Sequence, residues 1–252
     1  MSSNPANSKL EYPLAPHYPS YWFGERLTAL VASLLADWRV EGEERMPKSG
    51  PLIVAANHFS LVDPPLLAAS LPRQMSYLGK AELWGNPVGR IFSRGIGIIP
   101  LRRGQADRPA LRTALTVLER GGVVGVFPEG TRGREHPRRL KPGLPGIALL
   151  ARLSGAPLVP VGIAGTDAID RPSDILTRAL SRPRFRVLIG DPFDLPARNP
   201  RDLDADTTLI MTAIARLLPE RYWGPYAPEE VGNSQRLGGP RHMAEQRTTE
   251  NP

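Results

Sequence analysis

Residues Leu52–Leu67 read LIVAANHFSLVDPPLL, and their interpretation sets the fold class. Leu52–Ala56 is a continuous apolar run of strand length, following Pro47, Ser49 and Gly50. A run without alternation predicts a strand buried on both faces. Asn57 and His58 close it, and Asp63 stands before Pro64 and Pro65. Asp as cap with Pro at the first helical position predicts a helix start. The stretch therefore predicts strand, polar turn, helix.

The same alternation continues along the chain. Met75–Leu78, Ile96–Leu101, Val123–Phe127, Leu158–Ala164 and Phe185–Ile189 have strand patterns. Asp107–Arg120, Gly143–Leu153 and Asp204–Leu218 have helical ones, with Gly121-Gly122 ending the first. Strands alternating with helices predict an α/β sheet with covered faces. A chain of 252 residues, 41% hydrophobic, can bury one large core or two smaller ones. Ahead of the core, Phe23, Leu27, Leu30, Val31, Leu34, Leu35 and Trp38 recur at helical spacing from Trp22 to Trp38. Two uses fit that stripe: packing against the domain, or lying in a membrane surface. Met1–Pro16 is polar and proline-rich, unlike a signal peptide, and no run approaches the ~18 apolar residues of a spanning helix. The expected organisation is a disordered leader over 1–20, an amphipathic helix over 21–38, a core domain over 39–226 and a polar disordered tail over 227–252.

Composition narrows the chemistry. Without cysteine there is no disulfide and no thiolate catalysis. The net charge of +7, nearly all from arginine, suits anionic partners. No basic stripe with interleaved aromatics accompanies it, so no nucleic acid is expected. His17, His136 and His242 lie in expected loops or tails without a second ligand at metal spacing, so no metal site is expected.

Residues five apart on a straight helix face about 140° apart, so His58 and Asp63 can meet only if Phe59–Val62 turns. A carboxylate accepting from one ring nitrogen would leave the other free to take a proton from a hydroxyl. With no third catalytic side chain, the substrate's own hydroxyl would be the nucleophile. The stretch alone reads more readily as a capped turn with a polar strand end. A second strand, Val123–Phe127, runs into Pro128, Glu129, Gly130, Thr131 and Arg132. This turn can hold a polyol phosphate, with Glu129 accepting from a hydroxyl and Arg132 on phosphate, or it can be a polar loop with an Arg–Glu pair. A third strand end carries Arg102 and Arg103. Ligands of open α/β sheets bind outside the carboxyl ends of strands, so convergence of three such ends favours a site.

The chain resembles the glycerolipid acyltransferases of the lysophosphatidic-acid type over roughly 39–226. NHFSLVD (Asn57–Asp63) is similar to their NHxSxxD block and FPEGTR (Phe127–Arg132) to their third. GIIPLRR (Gly97–Arg103) is similar to the second, with Arg102 where the family often has an acid, and APLVPVGIAGT (Ala156–Thr166) to the fourth. The resemblance implies a mixed, largely parallel sheet covered by helices. It implies His58 as general base and Asp63 as its orienting partner. Arg103, Glu129, Gly130, Thr131 and Arg132 would hold the acceptor head group, Lys80 would lie near its phosphate, and Lys141 would contact phosphate or donor. The acceptor would be a lysophospholipid, lysophosphatidic acid first, with glycolipid or ornithine lipid as alternatives. The donor would be acyl-CoA or acyl carrier protein, as co-substrate, with no cofactor. The helix over 21–38 would attach the enzyme peripherally to a membrane's cytoplasmic face.

Overall fold

A computed structural model describes residues 19–85, 87, 89–90, 93, 97–104, 107–132, 138–169, 171–179, 181–197 and 202–227. The leader before residue 19, the tail after 227, Ile96 and the three histidines 17, 136 and 242 lie outside them. Helix α1 spans Pro19–Leu35 and strand β1 Asp37–Glu41. They are followed by β2 (Leu52–Ala56), α2 (Asp63–Ser70), β3 (Ser76–Lys80) and β4 (Ile98–Leu101). The remainder is α3 (Arg108–Glu119), β5 (Val123–Val126), α4 (Gly146–Ser154), β6 (Leu158–Ala164), α5 (Pro172–Ala179), β7 (Arg184–Ile189) and α6 (Leu203–Ala215).

The seven strands form one sheet in the order β1-β7-β6-β2-β5-β3-β4. Strands β6, β2, β5, β3 and β4 run parallel, β7 is antiparallel to β6, and β1 is parallel to β7. The parallel block brings the carboxyl ends of β2, β3, β4, β5 and β6 to one edge. Central β2 is buried throughout because both faces are covered. Ile53 and Ala55 pack with Ala114, Val117, Ile147 and Ile210 from α3, α4 and α6. Leu52, Val54 and Ala56 pack with Ala32, Leu66 and Leu67 from α1 and α2. The sheet is thus sandwiched between two helical layers.

Several boundaries differ from expectation for local reasons. Helix α1 stops at Leu35 because the Asp37 amide donates to Pro183 O and the chain enters the sheet. Trp38 consequently lies on β1 opposite Phe185, not at the end of the amphipathic helix. Asp107 is the cap of α3, its Oδ1 accepting from Ala110 N–H. Helix α4 starts at Gly146 rather than Gly143, since the amides of Lys141, Gly143 and Leu144 are engaged by Glu129, Tyr226 and Pro128.

Helix α1 packs by Tyr21, Ala32 and, beyond its end, Ala36. Tyr21 also accepts the Met75 amide at 3.2 Å on its phenolic oxygen. The expected apolar stripe faces the other way: Trp22, Phe23, Leu27, Leu30, Val31 and Leu34 are 40–64% exposed. At 100° per residue the packed positions and the centre of this stripe fall on opposite sides of the helix. Among the described residues no helix is long and apolar enough to cross a membrane.

Candidate active site

The turn after β2 is built by side chains standing in for backbone. Asn57, fully buried, donates through Nδ2 to Ile163 O at 2.8 Å and accepts Ile163 N–H on Oδ1 at 2.7 Å. It thereby continues the pairing of β2 with β6 one residue past the strand and fixes where His58 leaves the sheet. Ser60 donates to Ile169 O and accepts the Val62 amide at 3.3 Å.

Asp63 is fully buried and organises everything around it. Its Oδ2 accepts the amides of Phe59 and Ser60, both at 2.6 Å, and faces His58 Nδ1 at 3.1 Å. Its Oδ1 accepts the Thr166 hydroxyl at 2.6 Å. This corrects the expected cap. Asp63 is the first residue of α2, Val62 flanks it, and the helix start has no side-chain cap. The carboxylate turns back to hold the preceding loop rather than serving the helix, whose first turn carries Pro64 and Pro65 and so lacks two amides that a cap would satisfy.

Because Oδ2 is already an acceptor for two amides, the imidazole must present Nδ1–H to it. Nε2 is then left with its lone pair. The Phe127 ring stacks on the imidazole, centroids 4.4 Å apart and planes 28° apart. Tyr77 in turn stacks beside Phe127 at 6.4 Å. The His58 side chain keeps 12% of its surface exposed and Asp63 none.

Glu129 is 5% exposed and sits directly behind His58. Its Oε1 accepts the His58 amide at 2.8 Å and its Oε2 the Lys141 amide at 3.1 Å. Glu129 therefore ties two loops together, where sequence suggested a contact to a substrate hydroxyl. Burial pushes its carboxyl from the ordinary 4.5 up to about 7, against the two amides and Lys141, which favour the anion. Gly130 has φ +68°, and a Cβ there would meet Leu144 Cδ1 at 2.6 Å. Its amide donates to Phe127 O at 3.0 Å, closing the turn, so it is not directed at a ligand as expected. Thr131 is exposed and accepts from Lys141 Nζ at 2.7 Å.

The remaining expected residues stand on neighbouring strand ends. Lys80 ends β3, 3.7 Å from Glu82, and Arg103 follows β4 with Glu82 also beside it. Among the described residues neither hydrogen-bonds the His58–Glu129 cluster. Arg132 is exposed on the same turn as Thr131. Sequence reasoning gave no role to Asn57, Phe127 or Thr166. Thr166 was within reach only as part of the fourth block, because its partner Asp63 is 103 residues away.

The site thus sets a buried His–Asp pair at the ends of parallel strands, with Lys141 and Arg132 on the neighbouring turn. The chain belongs to the acyltransferase family, whose model matches residues 37–164, just over half of it. The 1-acyl-sn-glycerol-3-phosphate acyltransferase of Bacillus subtilis is 27% identical over 173 residues, covering 68% of this chain and 81% of that protein. A lyso-ornithine lipid O-acyltransferase of Pseudomonas aeruginosa is 35% identical over 120 residues, 47% of this chain and 43% of that protein. The crystal structure of the Thermotoga maritima 1-acyl-sn-glycerophosphate acyltransferase, PlsC, matches with TM-score 0.59 and 26% identity. It covers 79% of this chain and 76% of that one. The protein is an acyltransferase with the fold of these lipid-modifying enzymes.

Glu129→Gln tests the two-loop tie. A carboxamide has one acceptor oxygen, so one of the two buried amides would face an N–H donor. The expected loss is about 2 kcal/mol, or roughly 4–8 °C in Tm, with activity reduced about tenfold. Glu129 holds its proton to about pH 7 in the fold against 4.5 ordinarily, so its contribution is present below 4.5 and lost as pH rises through 7. The Tm deficit of Glu129→Gln should therefore narrow between about pH 5 and about pH 8. A deficit that widens over this range would contradict the assignment.

Proposed function

We propose that this enzyme transfers an acyl chain from a thioester, on coenzyme A or acyl carrier protein, to the free hydroxyl of lysophosphatidic acid, forming phosphatidic acid. The observation that carries the reading is the His58–Asp63 pair, Nδ1 to Oδ2 at 3.1 Å; the two amides already on Oδ2 favour the tautomer that leaves Nε2 as the acceptor. Nε2 takes the proton of the acceptor hydroxyl as its oxygen attacks the thioester carbonyl. The tetrahedral intermediate collapses, the C–S bond breaks, and the imidazolium returns the proton to the departing thiolate. Asp63, fully buried against the ring, stabilises the imidazolium between these steps.

Direct transfer fits the surroundings. The chain has no cysteine, and among the described residues the His58 ring hydrogen-bonds only Asp63, with Ser60 committed to Ile169 O. Lys141, Thr131 and Arg132 on the β5 side, with Lys80 and Arg103 beyond, supply the charge for a phosphate head group. Lyso-ornithine lipid is the second acceptor class, supported by the 35% identity to the Pseudomonas enzyme and by Arg102 where the family often has an acid.

The exposed stripe of α1 gives such an enzyme its route to lipid. Insertion of Trp22, Phe23, Leu27, Leu30 and Leu34 into the interfacial layer would hold it monotopically on the cytoplasmic face.

Purified protein with acyl-CoA and lysophosphatidic acid should release thiol, and His58→Ala should lower the rate roughly 10²- to 10⁴-fold. Retained activity in His58→Ala would remove the base assignment, and turnover of lyso-ornithine lipid alone would replace the acceptor. In liposome flotation, Leu30→Glu/Leu34→Glu should lose at least about tenfold in partitioning while leaving the core intact. Unchanged flotation would rule out α1 as the anchor.

A further inference from the structure

The geometry points to Thr166 as a positioning residue of the reaction, one that holds Asp63 in line with His58 from the far side of the site. The two oxygens of Asp63 are engaged by different parts of the chain. Oδ2 is held by the loop it belongs to, through the Phe59 and Ser60 amides. Oδ1 has one donor among the described residues, the Thr166 hydroxyl at 2.6 Å, and Thr166 is itself fully buried. Two fixed amides alone would let the carboxylate plane pivot about Oδ2. The bond from Thr166 sets that plane, and with it the direction from Oδ2 to Nδ1.

The turn that carries Thr166 is built to deliver this hydroxyl. It follows β6, which pairs in parallel with β2, so its end lies at the same edge as His58. Gly165 adopts φ +87°, and a Cβ there would fall 1.9 Å from Arg184 O, so the reversal requires glycine. Tyr222, from the segment after α6, closes over the turn from outside. Its hydroxyl donates to Asp167 Oδ1 at 2.6 Å and accepts the Gly165 amide at 3.3 Å. Its ring lies 5.0 Å from that of Phe59, whose amide is one of the Asp63 donors. The residues on either side of Thr166 are thus tied to the tyrosine that contacts the catalytic loop.

Thr166, fully buried, bonds Asp63 and touches neither substrate nor reacting atoms. It acts through Asp63, which separates it from a merely structural threonine. The inference rests on His58 as general base, and the experiment separates the two claims. Thr166→Val keeps shape and removes the donor; Thr166→Ser keeps the donor. The measurements are kcat and KM for thiol release, with Tm alongside. The expected result is a loss of about 10- to 100-fold in kcat for Thr166→Val, with KM within about twofold and near-complete rescue in Thr166→Ser. In a His58→Ala background the same substitution should cost nothing further, since there is no base left to orient. Tyr222→Phe, which leaves Thr166 in place, should lower kcat in the same direction by a smaller factor.

Wild-type kcat in Thr166→Val would overturn the inference while leaving His58→Ala to stand on its own. So would an equal loss in the His58→Ala background, or failure of serine to rescue. Full activity in His58→Ala would overturn both claims.

Discussion

A carboxylate with no solvent exposure must be matched by donors, and the loop chemistry of this protein follows from that requirement at Asp63. Four donors meet it: the amides of Phe59 and Ser60, the Thr166 hydroxyl and the His58 ring. They come from the turns after β2 and β6, adjacent parallel strands. Removing any one leaves a buried charge short of a partner, which is costlier than losing an ordinary hydrogen bond. The arrangement therefore holds the loop and selects the histidine tautomer together.

A second buried carboxylate works similarly on the other side of β2. Glu129 takes the His58 amide on one oxygen and the Lys141 amide on the other. His58 is thus held by its backbone from β5 and by its ring from α2, with Phe127 stacked on its face. Further out, Thr131 and Arg132 are exposed and Lys141 Nζ donates to the Thr131 hydroxyl. The family motif therefore divides its work, with its glutamate and glycine shaping the turn and its threonine and arginine on the surface.

Much of this was legible in the sequence. The apolar run Leu52–Ala56 and the alternating run Phe185–Ile189 announced strands within a residue of their bounds, since burial on two faces or one leaves a direct compositional trace. Pro64 marked where the helix begins and so let Asp63 come round to His58, but the pairing was favoured over a plain capped turn only once FPEGTR and the family resemblance stood beside it. Asp63 was rightly set beside His58, but its capping was misread: a cap is inferred from the residues after it, whereas its other partners lie before it and a hundred residues away. The same holds for α4, whose start was displaced by amides bonded to Glu129, Pro128 and Tyr226. Periodicity found the stripe of α1, but only tertiary placement told which way it faces. The packed face uses small residues and a tyrosine, a weaker signal than six large apolar side chains.

Asp63 imposes one tautomer on His58, and nitrogen NMR of the imidazole reads that tautomer directly. Long-range ¹H–¹⁵N correlation, with His58→Ala to assign the ring, should be recorded at a pH where imidazoles are neutral. With Nδ1–H donated to Asp63, the expected spectrum has a pyrrole-type shift at Nδ1 and a pyridine-type shift at Nε2, the nitrogen proposed to take the acceptor's proton. A His58 ring protonated at Nε2, or one exchanging evenly between the two forms, would contradict it.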